Sequence, residues 1–333
     1  MPREKPRTSK LHELAVGQPP ADFFALLVEK NRLATRDGKS FYKCKFRDRR
    51  RIVESAVWPD APLFLDCEAA WKVGTVYKIR GHYSEHEKYG PNVEVLVIRE
   101  ATAQDREEGL NDADIYERSR FDSEKMFAEL IGLANDELSD PPLRQLVLNL
   151  LNSQAESLKV LPASPKAFFP FPGGWLEHVL NVTRNCLWLA DQYAARYPDL
   201  KPFNRDLIVA GAVLHDIGRV AELANGELTV PGHLFGHVVL GRDLIREAAR
   251  DVPDLNPELL QLLEHLILAH LTKPEWGSPR LPMIPEVLVL HNADDLDAKF
   301  EMYARHLMND QKEGPVSEYD PVLKRPLLKG RTV

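Results

Sequence analysis

Hydrophobic and polar positions follow two different periods along this chain. Over Ser40–Arg47 they alternate, so Tyr42, Cys44 and Phe46 share one face and Phe41, Lys43, Lys45 and Arg47 the other, as in a half-buried strand. The preceding Arg36-Asp37-Gly38-Lys39 contains an Asp-Gly turn signal. Further strands are expected at 52–58, 75–81 and 92–98, the last after a Tyr89-Gly90-Pro91 turn. Short strands separated by turns suggest a small barrel or sandwich over residues 16–102. Beyond residue 120 the period becomes helical. Helices are expected at 123–138, at 143–158 with Pro142 in the first turn, and at 175–197. Others are expected at 206–214 behind an Asn204 cap, at 237–250, at 257–271 behind Asn256, and at 285–308. Residues 162–174 hold four prolines and two glycines and read as a structured loop. The pattern therefore predicts an α+β, multidomain chain: a flexible tail (1–15), a β-barrel (16–102), a helical connector (103–165), an all-α domain (166–310) and an irregular C-terminal tail (311–333).

Composition changes this picture little: 44% hydrophobic and 28% charged residues suit a soluble globular protein. No apolar run approaches the roughly 20 residues that span a bilayer, so no membrane association is expected. The basic start MPREKPRTSK has no apolar segment behind it and does not read as a signal peptide. Cys44, Cys67 and Cys186 are dispersed and odd in number, which suggests a reducing, cytoplasmic setting and neither a disulfide framework nor a zinc finger. Charge is more informative. Residues 1–51 hold 14 Lys/Arg against 6 Asp/Glu, on a chain whose net charge is −7. A basic N-terminal segment on an acidic protein suggests contact with a polyanion; a solvated basic surface is the alternative.

The candidate chemistry sits in the helical half. The apolar run 207–214 ends in His215-Asp216, and a buried helix that ends in an imidazole and a carboxylate must compensate those groups. A divalent metal does so, and mixed nitrogen and oxygen donors suit Mn, Fe, Ni, Co or Zn. His178 precedes the doublet by 37 residues and Asp294 follows it by 78. His237, after Gly236, and His270, before a Pro/Gly loop, add donors. Such a site polarises a phosphoryl oxygen and activates water. Arg219, one turn after the doublet, is placed to grip a phosphate bidentately.

The run Asp206-Leu207-Ile208-Val209-Ala210-Gly211-Ala212-Val213-Leu214-His215-Asp216-Ile217-Gly218-Arg219 resembles the signature of the HD superfamily of metal-dependent phosphohydrolases. Gly173-Gly174-Trp175-Leu176-Glu177-His178 is similar to the block with that superfamily's first histidine. Four further segments resemble the YhaM type, 3′→5′ exoribonucleases with an N-terminal OB-fold and an HD domain. They are Gly232-His233-Leu234-Phe235-Gly236-His237, His265 to His270 with Glu275-Trp276-Gly277-Ser278-Pro279, His291 to Lys299, and Ser317-Glu318-Tyr319-Asp320. The resemblance spans roughly 16–330 and is strongest over 173–300. It implies an OB-fold barrel and an HD domain. It makes His178, His215, Asp216 and Asp294 ligands of a first metal, and assigns Asp216, His237 and His270 to a second. The sequence departs from it at Leu271, where relatives carry histidine, at Phe168-Phe169, where they often carry a His pair, and at Arg219, usually lysine. Leu271 makes the second metal conditional, so one or two ions, manganese foremost, are expected. His233 and His265 are substitutes for the missing donor, and His291, three residues before Asp294, is a partner behind the ligands; each also reads as an ordinary structural histidine.

The barrel then reads as a single-strand groove, which needs aromatic platforms between basic residues. Phe41, Lys43, Lys45, Arg47, Trp58, Lys78 and Arg80 supply them; an amphipathic barrel with Trp58 in a domain interface is the alternative. The leading expectation is a 3′→5′ exonuclease on single-stranded RNA, with single-stranded DNA open as a further substrate. Asp216, His215 and Arg219 would be catalytic. The alternatives are an HD phosphohydrolase of free nucleotides or cyclic dinucleotides, and a nucleic-acid-binding protein with an inactive HD domain. Oligomeric state is left open.

Overall fold

The computed structural model describes residues 8–35, 38–86, 90–116, 118–200, 203–310 and 312–330. Arg36, Asp37 and Tyr89 of the two expected turns, and residues 1–7 of the expected tail, lie outside them. The chain divides into two units, Met1–Glu117 and Arg118–Val333.

The first unit is a closed barrel. β1 (Ser9–Lys10) leads to β2 (Ala21–Ala34), β3 (Ser40–Arg47) and β4 (Ile52–Val57). A short helix, α1 (Phe64–Ala70), precedes β5 (Val76–His86) and β6 (Gly90–Glu100). The sheet order is β1-β2-β3-β4-β6-β5, and β2 also pairs with β5, which closes five strands into the expected OB barrel. β4 and β6 are parallel; the other barrel pairs are antiparallel. Tyr42, Cys44 and Phe46 point into the core as their alternation predicts.

The pattern did not reveal β2, because it has no alternation to read. Its Ala21–Leu26 half pairs with β5 and its Leu26–Ala34 half with β3, across an irregularity between Leu27 and Glu29. Phe23, Ala25 and Leu27 fill the barrel, while Phe24 and Leu26 on the other face are covered by Ile115. A strand buried on both faces reads as a continuous apolar run. Ile115 lies on α2 (Asp112–Ile115), so residues 103–116 pack with the barrel and not in a connector. The described part of the expected tail is tied down too. β1 pairs with β2, Leu11 and Leu14 are buried, and the buried Asp48 carboxylate accepts the His12 backbone N–H at 2.9 Å and those of Arg50 and Arg51 at 2.8 and 2.7 Å.

The second unit is helical. Asp122 caps α3 (Ser123–Glu137) and Asp140 caps α4 (Pro141–Ser153), whose first turn holds prolines. The expected 143–158 helix breaks at Gln154 into α4 and α5 (Ala155–Val160). Leu130, Leu146, Leu150 and Leu158 from these helices share one core with Val179, Leu207 and Leu266, so 118–165 belongs to the helical core as well. Then come α6 (Gly174–Arg196), α7 (Arg205–Leu214), α8 (Arg219–Glu222), a β7 (Leu223–Ala224) and β8 (Glu227–Leu228) hairpin, α9 (Val230–Ala248), α10 (Pro257–Ala269) and α11 (Pro285–Asn309). α7 is buried on every side from Leu207 to Leu214. The segment after α11 folds back through bridges between Val316 and Leu328 and between Asp320 and Arg325. No helix among the described residues is long and apolar enough to cross a membrane.

Asp48→Ala would leave three backbone N–H groups unpaired, two at the β3–β4 turn and one at His12. It is expected to cost roughly 2–4 kcal/mol, since each buried unsatisfied donor costs about 1–3 kcal/mol and part of this is recovered by water. A urea titration of the full chain measures this, and an unmoved midpoint would refute the anchoring role.

Candidate metal centre and barrel face

The centre is assembled at the end of α7. Its apolar residues commit that helix to the core, so the chain that follows Leu214 delivers His215 and Asp216 to a buried position. Asp216 is fixed by its own carbonyl, which accepts the Trp175 indole N–H at 2.9 Å. α6 supplies His178, α9 His237, the end of α10 His270, and α11 Asp294; all are buried. Two glycines allow this convergence. A Cβ on Gly218 would lie 1.9 Å from the His237 carbonyl oxygen, so only glycine lets α8 approach α9. Gly236 sits at φ 70°, ψ 162° and kinks α9, a conformation that favours glycine. The kink turns the His237 backbone N–H onto Glu222 Oε1 at 2.8 Å, and explains why periodicity starts the helix at 237 and misses its first turns.

The donor atoms form two groups, His178, His215 and Asp294, and Asp216, His237 and His270, each with ligand atoms within 4.8 Å of one another. In the first, His178 Nε2 lies 3.1 Å from Asp294 Oδ1 and 3.4 Å from His215 Nε2. In the second, His237 Nε2 lies 3.2 Å from Asp216 Oδ1. The outer ring nitrogens fix the tautomers. His215 Nδ1 donates to the Ala212 carbonyl at 2.9 Å and His270 Nδ1 to the Ile267 carbonyl at 2.7 Å. His178 Nδ1 donates to Asp297 Oδ2 at 2.8 Å and His237 Nδ1 to Glu222 Oε1 at 3.1 Å. Because carbonyls and carboxylates only accept, each Nδ1 carries hydrogen, and a neutral ring then turns its Nε2 lone pair inward. His237 Nε2 and His270 Nε2 are buried with no hydrogen-bond partner. Orphaned buried nitrogens beside ionised carboxylates are what a bound divalent cation satisfies, so the residues fit such ions.

Electrostatics agree. Burial opposes the Asp216 charge, but Arg219, His237, His215 and His270 more than offset it and hold its carboxyl well below the usual range. Burial likewise opposes the Asp294 charge, yet His178 and His215 bring its carboxyl down to about 2. Burial pushes His215 down and His270 down to about 4, so both rings are neutral. His178 behaves oppositely: burial disfavours its cation, but hydrogen bonds to Asp294 and Asp297 raise it to about 10.

The other expected residues fall into place. Arg219 lines the cavity over the centre, but its Nε faces Asp216 Oδ2 at 3.3 Å and its Nη1 faces Glu222 Oε2 at 2.6 Å. The bidentate phosphate grip expected of it is therefore already taken by carboxylates, because i,i+3 spacing folds the side chain back onto Asp216. His233 is exposed and His265 Nε2 accepts the Met283 N–H at 3.0 Å, so neither replaces the histidine absent at Leu271. His291 reaches the chain at His270 and not Asp294: its Nδ1 donates to the His270 carbonyl at 2.8 Å. Phe168 and Phe169 pack on the His178 ring, at 5.0 and 5.6 Å between centroids. Glu222 and Asp297 escaped the sequence reading; the only hint was Asp297 one turn after Asp294.

On the barrel, Phe41 and Trp58 stack at 4.6 Å, and Trp58 remains 45% exposed. Lys43 pairs with Glu54 at 2.8 Å and Lys45 with Glu29 at 2.7 Å. Arg47, on the same face, and Arg80 have no carboxylate partner among the described residues. Lys78 pairs with Glu108 and lies 5.9 Å from the Phe24 ring. The basic residues thus do not form one patch: β3 and β5 adjoin opposite halves of β2, which separates Lys78 and Arg80 from the Phe41 group.

Residues 175–299 match the family model described as HD domain. An HD domain indicates a metal-dependent hydrolase, and both donor groups lie within the matched residues.

Each donor group has one histidine backed by a carboxylate, and removing such a partner weakens metal affinity by about 10–100-fold. In calorimetric Mn²⁺ titrations, Glu222→Gln is expected to weaken one binding event and Asp297→Asn the other. Identical titrations for the two variants would refute the pairing of Glu222 and Asp297 with separate groups.

Proposed function

We propose that the protein is a metal-dependent 3′→5′ exoribonuclease that shortens single-stranded RNA to nucleoside monophosphates, with single-stranded DNA as a secondary substrate. The observation that carries this reading is a histidine–aspartate donor set in a chain that also bears an OB barrel with an exposed Trp58 stacked on Phe41. The β3–β4 face, with Phe41, Trp58 and Arg47, is where such barrels take single strands. A divalent ion at the donor set, Mn²⁺ foremost, would polarise the phosphoryl oxygens and lower the pKa of water. Asp216, kept ionised by Arg219 and the surrounding histidines, orients the attacking water. His215 is held neutral as a ligand, and Arg219 meets charge that grows on the phosphate. Water attacks phosphorus in line, the bond to the penultimate 3′ oxygen breaks, and the proton that water gives up ends on that oxygen, leaving a free 3′ hydroxyl on the shortened chain and a nucleoside 5′-monophosphate.

A second reading has its own support. The ion pairs of Lys43, Lys45 and Lys78 neutralise much of the basic surface, which favours hydrolysis of free nucleotides or cyclic dinucleotides at the same centre. Comparing turnover of oligoribonucleotides with a nucleotide panel separates the two.

With 5′-labelled single-stranded RNA and Mn²⁺, the parent is expected to give a ladder shortening from the 3′ end. Asp216→Asn should slow it by about 10³-fold or more, as loss of a charge-stabilising group at a reacting centre does. Intact RNA with the parent would sink the exonuclease reading. Phe41→Ala with Trp58→Ala should weaken RNA binding by tenfold or more, since stacking is worth about 1–3 kcal/mol per base. Turnover of free nucleotides should not change, and an unaltered RNA affinity would remove the barrel face from the proposal.

A further inference from the structure

The cavity above the donor atoms has walls that metal chemistry does not require. It measures about 120 Å³; Asp216, Asp294, Asp295 and Arg219 form its charged side, and Phe168, Leu271 and Trp276 are among its apolar lining. Phe168 is held against the His178 ring, so one wall is fixed to a metal-ligand candidate. Trp276 stands on the loop after α10 and is 44% exposed. Its ring also lies 6.0 Å from the His291 ring, centroid to centroid, at an interplanar angle of 32°. The loop that presents it is closed by its own hydrogen bonds. Trp276 N–H and Ser278 N–H both donate to the Lys273 carbonyl, at 3.0 and 3.1 Å, and Gly277 N–H donates to that of Pro274 at 2.9 Å. The buried Ser278 Oγ lies 2.7 Å from the Arg280 carbonyl, and Gly277 takes φ 96°.

Charge is arranged around the same ring. Lys273 Nζ sits 4.3 Å from the Trp276 ring centroid and has no carboxylate partner among the described residues. Lys299 Nζ is 5.6 Å away and is paired with Asp295 at 2.7 Å. Lys273 is thus a free cation parked on a π surface at the edge of an acidic centre. A planar aromatic group carrying an anion matches that arrangement. The aromatic group replaces the ammonium on the indole, and the ammonium swings to the anion.

We infer that Trp276 and Phe168 wall a nucleobase slot beside the metal centre, with Lys273 as the contact for the phosphate of the nucleotide bound there. This rests on the reading of the centre as acting on nucleotide phosphodiesters, and it names the residues that distinguish a nucleotide from any other phosphate ester. The slot is a property of the helical unit alone, so it serves a chain end or a free nucleotide equally.

Binding tests it apart from catalysis. Mn²⁺-loaded full-length protein is titrated by calorimetry with adenosine 5′-monophosphate and with ribose 5-phosphate, which differ only by the base. The parent is expected to bind the nucleotide at least about tenfold more tightly, the scale of one base stacked on an aromatic side chain. Trp276→Ala should bind the two alike, Trp276→Phe should keep most of the preference, and Lys273→Gln should weaken both ligands together. Manganese content equal to the parent's shows that the variants keep the centre. Equal affinity of the parent for the two ligands, or a preference that survives Trp276→Ala, overturns the slot. If the preference depends on Trp276 but RNA is not shortened, the exonuclease reading falls and the slot stands.

Discussion

Two carboxylates and four imidazoles cannot be buried together without something to balance them, and the second unit is organised around that constraint. The residues from Leu207 to Leu214 bring α7 into the core, which commits His215 and Asp216 to burial. Every neighbouring element then contributes a compensating group. Ala212 and Ile267 carbonyls take two Nδ1 hydrogens, Glu222 and Asp297 take the other two, and Arg219 balances Asp216. What these partners leave over is a set of inward Nε2 atoms, two of them with no hydrogen bond at all. The site is therefore arranged for cations by the same hydrogen bonds that make its burial tolerable.

The same logic explains the glycines at the centre. Gly218 and Gly236 provide no packing. One removes a Cβ that would collide with the His237 carbonyl, and the other bends α9 so that His237 reaches Glu222 by both backbone and ring. The short α8, with Arg219 at its start and Glu222 at its end, braces one donor group, since one residue touches Asp216 and the other His237. The barrel meets a comparable demand at Asp48, where one buried carboxylate gathers three backbone N–H groups from two separated segments.

Much of this was legible from the chain. The helical periods, the caps at Asn204 and Asn256, the inward face of β3 and the His215-Asp216 doublet all depend on neighbours within one or two turns. Features set by both faces of an element were not. β2 is covered on both sides and so has no alternation; Ile115 looked like part of a polar linker until it covered Phe24 and Leu26. Arg219 looked free because Glu222 and Asp216 are one turn away on either side, a proximity that matters only once the turn is folded.

By itself, the sequence determined which polar residues would be buried together: a doublet at the end of an apolar helix, a histidine after a glycine, a histidine before a Pro/Gly loop, and an aspartate within a late helix. Residue type and local period suffice for that, because both act over a few positions. Only the tertiary structure decided that six donors converge into two groups, that Asp297 and Glu222 stand behind them, and that Leu271 leaves Asp216, His237 and His270 together. Those outcomes join residues up to 119 positions apart. Their distances are set by how α6, α7, α9, α10 and α11 pack, which no local pattern encodes.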